Sequence, residues 1–230
     1  MNIQGLQKLT LLDFPGKVAC TVFTGGCNFR CPFCHNASLV TDCSSTASVT
    51  EDELLSFLKK RQGILDGVCI TGGEPLLNRD IPEFIKKIRA LGFAVKLDTN
   101  GSFPELLEKL ISDDLVDYVA MDIKNSKEKY GITIGRPDFD TSPICRSVEI
   151  LKQGSVDYEF RTTVTEQFHS VEDFEAIGKW LSGCSKYYLQ NFVDSGNLID
   201  PNIRGCDKNA MNSMLSAVKK YIPAAELRGL

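Results

Sequence analysis

The sequence predicts an α/β protein whose core is an incomplete (β/α)6 barrel of the TIM type, with parallel strands inside and helices outside. Past residue 60, short β-rich apolar runs alternate with longer helical patterns, which is typical of βα units and a parallel sheet. The chain has 230 residues, fewer than the ~250 of a typical closed eightfold barrel. Six units therefore fit where eight would not. A single domain is predicted over 1–230, with an extension at 1–16, the partial barrel at 17–200, and a helix and tail at 201–230.

Six segments have the composition of buried parallel strands, because they are short, apolar and rich in β-branched or aromatic residues. These predicted strands are 17–24, 67–71, 93–98, 116–122, 158–164 and 186–192. The preceding LQKLTLLDFPGK is predicted as an extra strand that leads through a Pro15-Gly16 turn into the first barrel strand.

Six helices are predicted from apolar residues at helical spacing behind recognisable start signals. A capping box begins at Thr50, with Glu53 at its third helical position. The other helices begin with a polar residue, whose side chain can accept a free N–H, or with a proline, which has no N–H to satisfy. These starts are Asp80, Pro104, Ser142-Pro143, Ser170 and Asp207.

Composition and charge exclude several classes of protein. Hydrophobic residues make up 43% and charged residues 24%, which are ordinary globular values. The net charge of -4 gives no support to a role that coats nucleic acid or a membrane surface. No run approaches ~18 uninterrupted apolar residues, and the N-terminus lacks the order of a signal peptide. We therefore expect a cytoplasmic protein with neither nucleic acid nor membrane as a partner.

The cysteines are numerous for such a chain and unevenly placed. Three of the nine fall within eight residues, as C-x3-C-x2-C at Cys27, Cys31 and Cys34. The others are scattered singly and are predicted to be small core residues without chemistry; they are Cys20, Cys43, Cys69, Cys145, Cys184 and Cys206.

Four interpretations of the cysteine cluster compete. His35 could complete a Cys3His zinc site, although structural zinc usually takes ligands from two separated knuckles. Cys31 to His35 also matches the attachment pattern of c-type haem, and Cys31 with Cys34 matches a redox pair. An iron–sulfur cluster on three cysteines uses every thiol of the group and leaves one iron open to a small molecule. We favour this last interpretation.

Unusual polar residues follow four successive predicted strands, where ligands gather in parallel α/β folds. The first strand leads into Gly25-Gly26 and the cysteines, and the second into Gly72-Gly73-Glu74. The third and fourth lead into Asp98-Thr99-Asn100-Gly101 and Asp122-Ile123-Lys124. Turn glycines, a polar turn and a solvated ion pair are the plainer alternatives. Asp122 and Lys124 share one face of their strand, which favours a common site at the mouth of the barrel.

These motifs together resemble the radical S-adenosylmethionine enzymes, in particular the activating enzymes of glycyl radical enzymes. The resemblance rests on GGCNFRCPFCHN, TGGEP, DTNG and DIK, and extends over nearly the whole chain. The lead-in LQKLTLLDFPGKVACTVFT and the terminal ELRG further resemble the activating proteins of anaerobic ribonucleoside-triphosphate reductase.

The resemblance implies a set of cofactor-binding residues. Cys27, Cys31 and Cys34 would hold a [4Fe–4S] cluster whose fourth iron takes the amino and carboxylate groups of S-adenosylmethionine. The remaining implied contacts are Gly72, Gly73 and Glu74 for the amino group, Lys124 for the carboxylate, and Asp98, Thr99 and Asp122 for carboxylate, ribose and, in some relatives, a monovalent cation. Phe33 would lie near the adenine, and Arg161 and Gln190 would contact the nucleoside.

The implied reaction is reductive. An electron from flavodoxin or ferredoxin cleaves the sulfonium to methionine and a 5′-deoxyadenosyl radical, which takes a hydrogen atom from a glycine Cα of a partner protein. That partner is anaerobic ribonucleotide reductase, with pyruvate formate-lyase or another glycyl radical enzyme as the alternative. Modification of a peptide or small molecule, and a non-enzymatic zinc module, also stay open. Only Cys43 lies between Cys34 and Val68, so the ferredoxin-like insert of several activating enzymes is not expected.

Overall fold

A computed structural model describes residues 1–41, 49–194 and 196–229. Its strands form one eight-stranded sheet in which each strand pairs with its neighbours in the sequence. The first strand is antiparallel to the second, and all later pairs are parallel. The strands are β1 Ile3–Thr10, β2 Ala19–Thr24, β3 Gly67–Gly72, β4 Ala94–Thr99, β5 Tyr118–Asp122, β6 Asp157–Val164, β7 Tyr187–Asn191 and β8 Glu226–Arg228.

Helices connect the parallel strands, as a parallel sheet requires. A 3-10 turn over Pro75–Leu77 follows β3. The helices are α1 Ala37–Thr41, α2 Glu51–Lys59, α3 Ile81–Ala90, α4 Pro104–Ser112, α5 Tyr130–Thr133, α6 Ser142–Lys152, α7 Val171–Trp180 and α8 Lys208–Lys219.

The predicted barrel strands correspond to β2–β7 with shifts of one or two residues at their ends, and the predicted extra strand is β1. The α/β fold with a parallel sheet is therefore confirmed. A seventh parallel strand, β8, was not predicted, because its three residues are too few to show a periodic pattern. The same holds for the short helices α1 and α5. Cys43 lies outside the described residues.

The sheet is strongly curved. Ala19 on β2 and Tyr118 on β5 belong to one small buried cluster with Phe14, although three strand spacings separate the two strands. A flat sheet would place β2 and β5 roughly 14 Å apart. In the described part of the chain, β1 and β8 remain the two open edges. The result is a partial barrel that is open on one side.

Side chains alternate between the two faces of the curved strands. On β5, Val119 and Met121 belong to the large apolar core, whereas Tyr118 belongs to a small cluster with Phe14. Tyr118 lies on the inward face of the sheet, which also carries buried charged side chains, including Lys96 and Glu159. Charged residues are rarely buried without partners. This inner polar face leads directly to the carboxyl ends of the strands.

No helix among residues 1–41, 49–194 and 196–229 has both the length and the apolar character that a membrane crossing requires.

Candidate functional site

A cavity of about 230 Å³ lies at the carboxyl ends of the parallel strands. It brings together all the predicted site residues except Glu74: Cys27, Cys31, Phe33, Cys34, Gly72, Gly73, Asp98, Thr99, Asp122, Lys124, Arg161 and Gln190. Seven further residues line it that were not predicted as site residues: Phe29, His35, Asn36, Val40, Thr71, Asn100 and Thr163.

The loop that carries the three cysteines is held by main-chain hydrogen bonds. The N–H of Gly26, a residue with φ of +88°, donates to the carbonyl of Leu39 over 2.8 Å. The N–H of Arg30 donates to the carbonyl of Ile134 over 2.9 Å, which ties the loop to the segment after β5. These bonds fix the loop while leaving all three thiols on the cavity wall.

Burial keeps the cysteine thiols protonated in the free protein. It raises the pKa of Cys27 to about 11 and that of Cys31 to about 12, and it raises the pKa of Cys34 as well. The Lys124 ammonium acts in the opposite direction on all three thiols, because a nearby positive charge favours the thiolate. Thiolates are the form that binds metal. Lys124 therefore favours the ionised state that a metal centre needs.

The three thiols line one cavity, but they do not converge on one point. Among the described residues, no three His, Cys, Asp or Glu side chains form a group that could hold a single metal ion. In an iron–sulfur cluster each thiolate binds a separate iron, so the ligands stand apart around the cluster. Three thiols around one cavity fit a cluster of this kind.

Gly72 and Gly73 allow β3 to approach the cysteine loop closely. Gly72 has φ of +116°, and a Cβ on Gly73 would lie 1.9 Å from the carbonyl oxygen of Gly26. That same carbonyl accepts the N–H of Glu74 over 2.8 Å. The two glycines are thus required by contact between two stretches of backbone, a reason beyond the ligand approach that the sequence suggested.

Glu74 differs from the sequence-based expectation, because its side chain does not line the cavity. It is fully buried, and its carboxylate accepts hydrogen bonds from the Leu76 N–H at 3.0 Å, the Thr99 hydroxyl at 2.8 Å and the Asn100 N–H at 2.7 Å. Burial raises its pKa to about 7, against the effect of these hydrogen bonds. Its position is that of a brace between the turns after β3 and β4, so the structure does not bring its carboxylate together with the residues that line the cavity.

Five charged side chains form a continuous chain along the inner face of β4, β5 and β6. Arg161 lies between two carboxylates, with Nε 3.0 Å from Asp122 Oδ1 and Nη2 3.3 Å from Asp98 Oδ2. Lys124 Nζ lies 3.1 Å from the other oxygen of Asp122, and Lys96 pairs with Asp98. Burial alone would raise the pKa of Asp122, but Arg161 and Lys124 outweigh it and hold that pKa at about 2.

This arrangement does not fit a monovalent cation between Asp98 and Asp122. Three positive side chains already face the two carboxylates. A bound cation would have to displace the Arg161 guanidinium and would meet uncompensated positive charge.

Phe33, His169 and Lys124 form a packed group beside the cysteines. The Phe33 ring lies 6.4 Å from that of His169. His169 Nδ1 accepts the N–H of Thr165 over 3.1 Å, so Nε2 carries the proton and donates to the carbonyl of Lys124 over 2.9 Å. The contact with Lys124 joins residues 45 positions apart, so no pattern in the sequence signals it.

The scattered cysteines that the structure describes are all at least partly buried, as expected of core residues. Cys20, Cys69 and Cys184 are buried, and Cys145 and Cys206 are partly buried.

Asn100 was not predicted as a site residue, although it belongs to the DTNG motif, in which only the first two residues were given roles. Its signal was its place directly after Asp98 and Thr99.

Comparison with known proteins identifies the family. The model of the radical SAM superfamily matches residues 21–181. A protein of Methanocaldococcus jannaschii, provisionally named a glycyl-radical enzyme activating enzyme, is 31% identical over 98% of this chain and 95% of its own length. The pyruvate formate-lyase-activating enzyme of Listeria monocytogenes is 31% identical over 54% of this chain and 53% of its own. The chain therefore belongs to the radical SAM superfamily, among the activating enzymes of glycyl radical enzymes.

Solved structures share the fold. A domain of the pyruvate-formate lyase-activating enzyme from Bacteroides vulgatus superposes with a TM-score of 0.55 at 16% identity, over 71% of this chain and 99% of that one. SuiB from Streptococcus suis, bound to S-adenosylmethionine, superposes with a TM-score of 0.67 at 15% identity, over 88% and 48%. At these identities the likeness is one of fold.

Proposed function

We propose that this chain uses S-adenosylmethionine to generate a glycyl radical on a partner protein. The observation that carries the proposal is the single cavity in which Cys27, Cys31 and Cys34 face the charged ends of β4, β5 and β6. When bound there, a [4Fe–4S] cluster would supply the electron that cleaves the sulfonium, and the 5′-deoxyadenosyl radical would take the hydrogen atom from a glycine Cα.

The chain's own residues bind and orient the substrate in this proposal. Lys124, held against Asp122, attracts the methionyl carboxylate, and the backbone at Gly72 and Gly73 receives the amino group in place of Glu74. Five further cavity residues keep the roles that the resemblance implies: Phe33 for the adenine, Asp98 and Thr99 for the ribose, and Arg161 and Gln190 for the nucleoside. Because Arg161 already bridges the two carboxylates, the proposal includes no monovalent cation.

Anaerobic ribonucleoside-triphosphate reductase is the first candidate partner, supported by the similarity of the lead-in and of the terminal Glu226 to Gly229. Pyruvate formate-lyase is the second, favoured by the 31% identity to the activating enzyme of Listeria monocytogenes. The proposal includes a cytosolic reaction with flavodoxin or ferredoxin as the electron donor, as the resemblance implies.

Anaerobic reconstitution tests the cofactor. We expect about four irons per chain and, after reduction, an S = 1/2 electron paramagnetic resonance signal that S-adenosylmethionine perturbs. Cys31→Ala should lose the cluster, whereas Cys184→Ala should keep it. The two residues form a matched pair, because each is a free cysteine with 8% exposure. Stoichiometric zinc without this signal, or equal cluster loss in both variants, would contradict the proposal.

A second experiment tests the partner. The protein is reconstituted with its cluster, reduced, and incubated with S-adenosylmethionine and either anaerobic ribonucleotide reductase or pyruvate formate-lyase. The glycyl radical doublet is then recorded by electron paramagnetic resonance. We expect the doublet on the reductase. A doublet on pyruvate formate-lyase alone would transfer the assignment to that partner. Consumption of S-adenosylmethionine with no doublet on either would reject both partners and favour modification of a peptide or small molecule.

A further inference from the structure

Asn100 lies beside the cysteine loop, and the proposed function gives it no role in binding the substrate. It follows β4, its side chain lines the cavity, and only 6% of the residue is exposed. Its main-chain N–H donates to Glu74 Oε2 over 2.7 Å. Glu74 therefore fixes the backbone from which the Asn100 amide extends toward the thiols.

The orientation of this amide is determined by its neighbours. Asn100 Oδ1 accepts the main-chain N–H of Ser102 over 2.9 Å and the Ser102 hydroxyl over 2.6 Å. Because a main-chain N–H can only donate, the atom that it meets must be the carbonyl oxygen. The amide nitrogen therefore points the other way, toward the cysteine loop.

Three side chains close a ring of hydrogen bonds around this amide. Asn100 Nδ2 donates to Asn28 Oδ1 over 2.9 Å, and Asn28 Nδ2 donates to the Ser102 hydroxyl over 2.9 Å. The Ser102 hydroxyl in turn donates to Asn100. The ring uses one of the two hydrogens on Asn100 Nδ2. The same nitrogen lies 3.9 Å from Cys27 Sγ, where its second hydrogen meets the thiol.

Cys27 also accepts the main-chain N–H of Phe29 over 3.4 Å, so two N–H groups are directed at this sulfur. Hydrogen bonds to a ligating sulfur stabilise its negative charge. Since reduction adds negative charge to an iron–sulfur centre, such bonds raise the reduction potential, and partners of this kind outside the ligand shell commonly tune metal sites.

We propose that Asn100 is a positioning residue that tunes the metal centre through the thiolate of Cys27, with Glu74 and the Asn28–Ser102 pair holding its amide in place. This inference rests on the proposed function, because it requires a cluster on the three cysteines. It also gives the buried Glu74 a purpose, since its carboxylate sets the turn from which Asn100 reaches the sulfur.

The test is a potentiometric titration of the reconstituted protein, followed by electron paramagnetic resonance. We expect Asn100→Ala to bind as much iron as the wild type but to have a more negative midpoint potential. Ser102→Ala, which removes the hydroxyl link of the ring but keeps the main-chain N–H on Asn100 Oδ1, should shift the midpoint in the same direction by less. The control is Asn191→Ala. It also removes a partly buried amide, but that amide bonds the main chain of Cys206 and neither residue lines the cavity, so the midpoint should stay unchanged.

The outcomes separate this inference from the proposed function. A wild-type protein that assembles no cluster would overturn both. If the wild type assembles the cluster and the Asn100→Ala variant has the same midpoint potential, only the tuning role is overturned. If Asn100→Ala fails to retain iron, Ser102→Ala decides: a negative shift supports the role, and an unchanged midpoint rejects it.

Discussion

Arg161 shows how one side chain can set the character of a site. Its guanidinium presents separate N–H groups to Asp122 on β5 and Asp98 on β4, so two buried carboxylates share one cation. Lysine could not bridge them in this way, because it carries a single point charge. The bridge favours the ionised form of both carboxylates inside the cavity, and Lys124 lies beside it, where the proposed function has it bind the substrate.

This bridge predicts that monovalent cations are not required. The wild-type protein with its cluster should bind S-adenosylmethionine with the same dissociation constant, within about twofold, in potassium chloride and in choline chloride. The reason is that no cation takes part in binding. Arg161→Ala leaves Asp98 and Asp122 to repel each other, so its binding should weaken roughly tenfold more in choline than in potassium. Isothermal titration calorimetry measures both.

Gln190→Ala is the control for this measurement. It removes another predicted nucleoside contact but no charge, so it should weaken binding equally in both salts. Wild-type binding that is lost in choline would show that a cation does occupy the site.

Individual residues also show how much of a site a sequence pattern can specify. The three clustered cysteines and the polar residues after four strands were predicted to share one site, and all of them except Glu74 line the cavity. A motif specifies residue types at strand ends, but it does not specify which way a side chain turns. The Glu74 side chain turns away from the cavity, because three hydrogen-bond donors in the turns after β3 and β4 bind its carboxylate.

At the scale of elements, each of the six predicted start signals lies at or directly before the first residue of a helix. The capping boxes at Thr50 and Ser170 are both formed, and Asp207 caps α8 through the N–H of Ala210. Asp80 marks the start of α3, but its side chain makes no capping hydrogen bond. Local rules therefore predicted long elements reliably, because their signals lie within one turn of the chain.

The last strand depends on a contact that is distant in the sequence. On β8, Arg228 donates to both oxygens of Glu159 on β6, over 2.9 Å and 3.0 Å. Glu159 is almost completely buried and also accepts the Tyr118 hydroxyl over 2.9 Å. This ion pair ties the terminal strand to the inner face of the barrel, although three residues of strand alone would pair weakly.

Arg228→Ala should therefore lower the free energy of unfolding of the metal-free protein by about 1–3 kcal/mol, because it leaves a buried carboxylate without its charged partner. The side chain of Arg228 is 36% exposed, so solvent reduces the loss below that of a fully buried pair. Urea denaturation measures the change.

A double-mutant cycle with Glu159→Gln isolates the ion pair. In that background Arg228→Ala should cost less, since no carboxylate is then stranded. An equal cost in both backgrounds would show that Arg228 stabilises β8 through its stacking on the Tyr188 ring alone.

At the scale of the whole molecule, the open curved sheet brings distant turns together. The turn after β4 supplies Asn100 to Cys27, a residue that follows β2. His169 hydrogen-bonds the main chain beyond β5 and packs on Phe33. Because these contacts link separate βα units, the cavity and the stability of the fold depend on the same side chains.

His169 should make the stability of the metal-free protein depend on pH. Burial lowers its pKa below the ordinary 6.5, so below that pH the unfolded chain binds more protons than the folded one. The contribution of His169 to the free energy of unfolding should therefore fall as the pH falls from 7. Asp173 favours the protonated ring and Lys129 opposes it, both more weakly than burial.

His169→Gln removes this titration while retaining a donor for Lys124. Its stability disadvantage relative to the wild type should shrink as the pH falls from 7 to 5.5, as measured by urea denaturation at each pH. Glu74 acts in the opposite sense between 4.5 and about 7, because its folded pKa is raised, but it is common to both proteins and cancels in the difference. Parallel pH profiles would contradict the prediction.

The sequence by itself determined the parallel sheet, the order of its strands and the set of residues at their carboxyl ends, because periodicity, caps and chain order are local properties. Tertiary structure alone decided that Glu74 braces two turns, that Arg161 joins two carboxylates and that Asn100 points at Cys27. Each of these depends on contacts between residues that are far apart in the chain. Their side-chain directions are set only when the curved sheet brings its turns together.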